Sequence, residues 1–200
     1  MSEGQALLDF LEDMRRLRRE CPWKREQTHR SLARYLQEET AETVEAIDTG
    51  DLTHLREELG DLLLQVYFHA VIAEESGAFT IDDVARGISD KMHRRNPHVF
   101  GATEPSSMTA SEVDAQWQAI KATEKPRRSA YDGIGPGLSA LLLATKVLER
   151  DPSASGGLPA PSDPSADLGD RLLALVAEAN AAGIDPEQSL RDAVRRALER

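Results

Sequence analysis

Two hundred residues with 40% apolar content suffice for one ordinary domain plus a smaller addition, or for two small domains. A formal charge of −11 and a pI near 4.9 exclude a protein that coats nucleic acid, or clings to an anionic membrane, through its overall field. Cys21 is the single cysteine, which excludes an internal disulfide and fits a reducing compartment. From residue 6 to 20, "ALLDFLEDMRRLRRE", apolar residues recur at positions 7, 8, 10, 11, 14 and 17, a helical period. Pro22 ends it by forcing the residue before it out of helical geometry. Acids interrupt this apolar start, no cleavage signature follows, and no run approaches the about 18 apolar residues of a membrane span. A soluble, cytoplasmic chain is the expectation.

Ser31 reads as the N-cap of a second helix running to about Asp48, where "DTGD" turns the chain. A third helix is expected from about Leu52 to Glu75, stopped at Gly77 by a left-handed cap. Thr80, with Asp83 three residues on, opens a fourth that continues to about Arg95 before "NP". Ser111 reads as the cap of a fifth, to Glu124. Strand signals are almost absent, so short loops between such helices predict an all-α bundle over residues 1–125. Beyond it, 126–150 reads as a connecting helix, and 151–166, rich in Pro, Ser and Gly, as a flexible linker. Residues 167–200 turn helical again.

The acids of "LQEETAETVEAI" are the point of chemical interest. At about 100° per residue, Leu32, Leu36, Thr43, Val44 and Ile47 share one face of the second helix. Glu39 falls inside that face, Glu42 on its edge, and Glu38 and Glu45 point away. On the third helix Leu59, Leu62, Leu63, Leu64, Val66, Tyr67, Phe68, Val71 and Ile72 go nearly all the way round, the pattern of a buried helix. Glu58 and Asp61 lie one turn apart at its start, Asp61 on the side of Phe68 and Ile72. Carboxylates about 5–6 Å apart repel by roughly 3 kcal/mol at an effective dielectric near 20, and by under about 1 kcal/mol in water. A solvated acidic face explains only the outward half of the set; for the inward acids a hard divalent cation is the natural compensation.

These residues resemble a family. "EETAE" (Glu38, Glu39, Glu42) followed by "ELGD" (Glu58, Asp61) is similar to the paired acidic motif of the all-α nucleoside triphosphate pyrophosphohydrolases, and "CPWKREQT", "FTIDDVARGISDKMHRRNPHVFG" and "WQAIK" resemble MazG members in particular, over residues 6 to 125. The resemblance implies an Mg²⁺-dependent hydrolase, with Mn²⁺ as a substitute, that converts nucleoside or deoxynucleoside triphosphates to monophosphate and pyrophosphate. It implies Glu39, Glu42, Glu58 and Asp61 as metal ligands, with Glu38 binding a second ion or orienting water. It places Lys91, Arg94, Arg95 and Lys121 at the triphosphate. For Trp117 a place at the base and a place in the core stand open, as for Trp23 do the base pocket and a pin for the first loop. A homodimer or dimer of dimers and a nucleotide-clearing role are further expectations, with no nucleic-acid polymer or membrane as partner.

The sequence departs from the pattern twice. Lys24 stands where the family commonly carries an acid, and residues 167–200 resemble the last part of a second such domain whose acidic helix is missing, the linker standing in its place. Asp167 and Asp170 alone cannot form a four-carboxylate site, so this remnant of a second domain is expected to be inert. Two other classes compete: a non-catalytic helical interaction module, and a di-iron bundle built on Glu26 and His29, whose partner pair would have to be Asp90 and His93. Histidines 54, 69 and 98 are expected in structural or surface roles.

Overall fold

In the computed structural model, which describes residues 3–101, 107–124, 129, 131–135 and 137–200, the described residues form helices and turns with no strand. The all-α expectation holds. The order is α1 (Gln5–Glu20), α2 (Pro22–Glu26), α3 (His29–Thr49), α4 (Leu52–Glu75), α5 (Ile81–Arg95), α6 (Pro97–Phe100), α7 (Ala110–Glu124), α8 (Ala140–Arg150), α9 (Leu168–Ala181) and α10 (Pro186–Leu198). The chain divides into one compact unit up to Ile120 and a second from Lys121 to Arg200. The expected junction at 125 and 126 lies outside the described residues. No helix among the described residues is long and apolar enough to cross a membrane.

Local chemistry sets the helix ends. Thr28, not Ser31, caps α3: the Thr28 hydroxyl accepts from the Ser31 amide, and the Ser31 hydroxyl accepts from the Thr28 amide at 2.9 Å. Ser31 is the return half of a capping box, so the helix starts a turn earlier than a search for the last cap residue suggests. The same correction applies to α7, where the Glu112 amide donates to the Thr109 hydroxyl and the Glu112 carboxylate accepts from the Thr109 amide, taking the role expected of Ser111. Thr80 and Asp83 box α5 as expected. Gly77, at φ +69°, follows α4 in the left-handed conformation that a side chain resists.

The core of the first unit joins α1, α3 and α4 through Met14, Leu32, Tyr67, Phe68 and Val71, with Ile81 of α5 packed against them. Phe10 meets Tyr67 with ring centroids 5.1 Å apart. Two arginine forks rivet α1 to α4: Arg15 donates to both oxygens of Glu74, and Arg18 to both oxygens of Glu75, at 2.8 and 2.6 Å. Arg18 is buried and also donates to the Lys24 and Gln27 carbonyls, holding the segment around α2 in place.

Two expectations about burial change. On α3 the buried stripe is Leu32, Thr43 and Ala46, with Leu36 and Ile47 exposed. The face is rotated from the one the large apolar residues alone define, because small Thr43 and Ala46 let α4 approach. Helix α4 is not buried all round: Leu52, Leu59 and Val66, spaced by seven, remain open in the single chain.

The second unit packs α8, α9 and α10 around Leu148, Ala174 and Val176. Where the sequence suggests a flexible linker, 151–166, the structure has a 3₁₀ turn at Pro152–Ser155, and Arg171 donates to the Pro161 carbonyl at 2.9 Å. Asp167 caps α9, accepting from the Gly169 and Asp170 amides.

Candidate metal and phosphate site

Helices α3 and α4 form a hairpin around Gly50, whose φ of +71° makes the reversal. Glu39 and Asp61 lie equally far from Gly50 along the two arms, about 16 Å at about 1.5 Å per residue, so the hairpin brings them level. Asp51 starts the second arm by accepting from the Thr53 and His54 amides at 2.9 and 3.1 Å, and these bonds hold its carboxyl below the ordinary range. On this frame one oxygen from each of Glu39, Glu58 and Asp61 lies within 4.8 Å of the others. Among the described residues this is the one group of three or more metal-ligating side chains so gathered.

Burial makes the cluster costly. Glu58 is buried at 8% exposure; its Oε1 lies 2.9 Å from Nε2 of His54, while Oε2 is buried without a hydrogen-bond partner. Leaving such an oxygen bare costs about 1–3 kcal/mol or more for a charged group. Burial first, and then the charges of Asp61, Glu42, Glu58 and Glu38, push the Glu39 carboxyl above its ordinary range. At 4.8 Å and an effective dielectric near 20 each like-charge pair costs about 3.5 kcal/mol, a large fraction of the about 5–15 kcal/mol that holds a domain together. A cation placed among the three oxygens would relieve this repulsion. An all-oxygen donor set with an unsatisfied buried oxygen fits a hard divalent ion.

The expected acids do not all converge. Glu42 and Glu38 are exposed and stand outside the close triad, though both act on Glu39 through their charge. Glu26 ends the five-residue α2, and His29 stacks on His69 with Nδ1 to Nδ1 at 2.7 Å, so the pair needed for a di-iron centre does not form there.

On the basic side, the Arg95 guanidinium lies 4.7 Å from the centre of the Trp117 ring, tying α5 to α7 with both residues half-buried. The indole face is a cation platform. Lys91 is half-buried one turn before Arg95, and Arg94 is exposed. Lys121, one turn after Trp117, falls in the second compact unit. Trp23 is half exposed and edge-on to Tyr35 of α3 at 6.0 Å, and the Lys24 ammonium lies 5.6 Å from its ring and 5.1 Å from that of Phe68. That contact secures α2 against α3 and leaves much of the indole open. Sequence reasoning missed His54, whose signal was a His-x-x-x-Glu spacing in the first turn of α4.

A family model for the MazG nucleotide pyrophosphohydrolase domain matches residues 27–100, the span that carries the triad. The nucleoside triphosphate pyrophosphohydrolase of Mycobacterium tuberculosis is 45% identical over 96% of this chain, which spans 55% of that protein. The nucleoside triphosphate pyrophosphohydrolase/pyrophosphatase MazG of Thermotoga maritima is 40% identical over 90% of this chain and 77% of its own length. A crystal structure of a MazG-related protein from Thermotoga maritima is similar at a TM-score of 0.49 and 26% identity, covering 58% of this chain and 97% of that one.

Proposed function

The chain belongs to the MazG family, and on that premise we propose that it hydrolyses nucleoside and deoxynucleoside triphosphates to monophosphate and pyrophosphate with Mg²⁺, Mn²⁺ serving as a substitute. The observation that carries the reading is the triad of Glu39, Glu58 and Asp61 with its buried, unpartnered Glu58 oxygen. These three residues and Glu42 would hold the ion. When bound, it supplies charge neutralisation at the phosphates and acidifies a water.

The chain's own groups account for the rest. Glu38, exposed and one residue from Glu39, is the carboxylate assigned to orienting the attacking water or to a second ion. Lys91, Arg94 and Arg95 supply the positive charge that a triphosphate needs in a chain of net charge −11, Arg by forked hydrogen bonds and Lys as a point charge. Lys121 joins them on motif position alone. Trp117, with Arg95 on one face, is assigned to the base or its surroundings, and Trp23 to the outer wall of the base pocket.

A homodimer or dimer of dimers is part of the reading, because Leu52, Leu59 and Val66 form an open apolar stripe on α4 that a second copy would cover. Residues 167–200 are assigned no catalysis: Asp167 is engaged as a helix cap, and an acidic helix equivalent to α3 is missing from that stretch of sequence. Clearing unwanted nucleotides from the cytoplasm is the role this activity serves.

The test is release of pyrophosphate and monophosphate from a panel of NTPs and dNTPs, with and without Mg²⁺, for wild type beside Glu58→Gln. Metal-dependent release that disappears in the variant is expected. Release unchanged in Glu58→Gln would overturn the assignment.

A further inference from the structure

His54 belongs to neither the acidic motif nor the basic set, yet it touches the most buried acid of the triad. Its position is fixed from two sides. The Asp51 carboxylate accepts from the His54 amide and locks the first turn of α4. One turn on, Nε2 lies 2.9 Å from Oε1 of Glu58.

The pair is asymmetric in a way that an ordinary surface pair on a helix is not. The His54 side chain is 40% exposed and that of Glu58 only 11%. The imidazole is the wet end, and the carboxylate reaches into the protein. There Oε1 is in contact with the imidazole, while Oε2 is buried without a partner and the carboxylates of Glu39 and Asp61 come within 4.8 Å. Anchoring one oxygen of a carboxylate fixes the rotation about its last bond, and with it the direction of the other oxygen.

Resting on the reading of the triad as a metal site, we propose that His54 is a positioning residue. Its Nε2, 2.9 Å from Oε1 of Glu58, restrains that carboxylate so that Oε2 is presented, with Glu39 and Asp61, to a divalent cation. The arrangement has the logic of outer-shell support in metal sites, where a hydrogen-bonded neighbour pre-sets the orientation of a ligand. A pair that merely supports the helix would contribute slightly to stability and leave metal affinity untouched.

Calorimetric titration of Mg²⁺ and Mn²⁺ into the nucleotide-free full chain separates these roles, using wild type, His54→Ala, His54→Gln and Glu58→Gln. Thermal unfolding in EDTA checks that each variant is folded. His54→Ala is expected to weaken binding by about 10–100-fold, with a parallel rise in the Mg²⁺ concentration that half-saturates turnover. His54→Gln, whose amide donates from nearly the same place, is expected to recover most of the loss. Wild-type affinity in His54→Ala beside lost binding in Glu58→Gln would overturn the positioning role and leave the metal site standing. Equal loss in His54→Ala and His54→Gln would also overturn it, because a polar contact to Oε1 would not be the agent. Wild-type affinity in Glu58→Gln would remove the metal reading itself.

Discussion

Neutralising one member of the triad should stabilise the metal-free protein while destroying its activity. Glu39 is the residue to change, because it is half-buried on α3 and comes close to both Glu58 and Asp61. Each like-charge pair at 4.8 Å costs about 3.5 kcal/mol at an effective dielectric near 20, and Glu39→Gln removes two of the three pairs in the triad. That sum is an upper bound: Glu39 and Asp61 are half-buried, so water screens them, and Glu39 already binds its proton more tightly than an ordinary carboxyl. A net gain of about 1–3 kcal/mol remains, which for a chain of this length raises Tm by roughly 2–4 °C per kcal/mol. The assay is thermal unfolding in EDTA and again in excess Mg²⁺. Without metal Glu39→Gln should melt above wild type. With metal the order should reverse, since a ligand at about 1,000 times its Kd adds about 4.1 kcal/mol to the protein that binds it. A variant less stable than wild type in EDTA, or one that gains as much from Mg²⁺, would refute the reasoning.

Other consequences are tested more simply. Arg18→Ala strips a buried fork from Glu75 and frees the Lys24 and Gln27 carbonyls; a loss of about 2–3 kcal/mol is expected in urea unfolding, moderated because Glu75 is half exposed. The hydrogen bond from Arg18, and then its charge, hold the Glu75 carboxyl below its ordinary value of 4.5, so this pair's contribution is present above that value and is lost as pH falls through the depressed one. The urea midpoint of Glu75→Gln should therefore lie below wild type at pH 7 and converge with it in acid; a constant gap would contradict the linkage. Leu59→Lys with Val66→Lys should convert a dimer into a monomer by light scattering, and an unchanged mass would rule out the α4 stripe as the interface. The double change Asp167→Asn and Asp170→Asn should leave turnover at its wild-type level, Asn keeping the cap of α9; a fall in kcat would show that residues 167–200 take part in the chemistry.

Much of the hairpin was legible because its determinants are local. The inward phase of Glu39 follows from the helical period, and Gly50 sets the level at which the two arms meet. Thr80 and Gly77 announced their ends of helices for the same reason. Thr28 and Thr109 were passed over because Ser31 and Ser111, three and two residues further on, also offer caps, and reciprocal bonding decides between them. The α3 face was misphased since Leu36 and Ile47 outweigh Thr43 and Ala46 in any apolar count, whereas close approach of α4 favours the small residues. Arg18 was invisible as a core group because Glu75 lies 57 residues away. His54 was hidden differently: its spacing to Glu58 is ordinary, and only the burial of the carboxylate gives it meaning.

The most direct test of the central claim is crystallographic. Crystals of the full chain soaked in Mn²⁺, at a concentration that supports turnover, should give an anomalous difference peak bounded by carboxylate oxygens of Glu39, Glu58 and Asp61. A peak held elsewhere, or none while the same preparation hydrolyses nucleotide, would mean that these acids were gathered for some other reason.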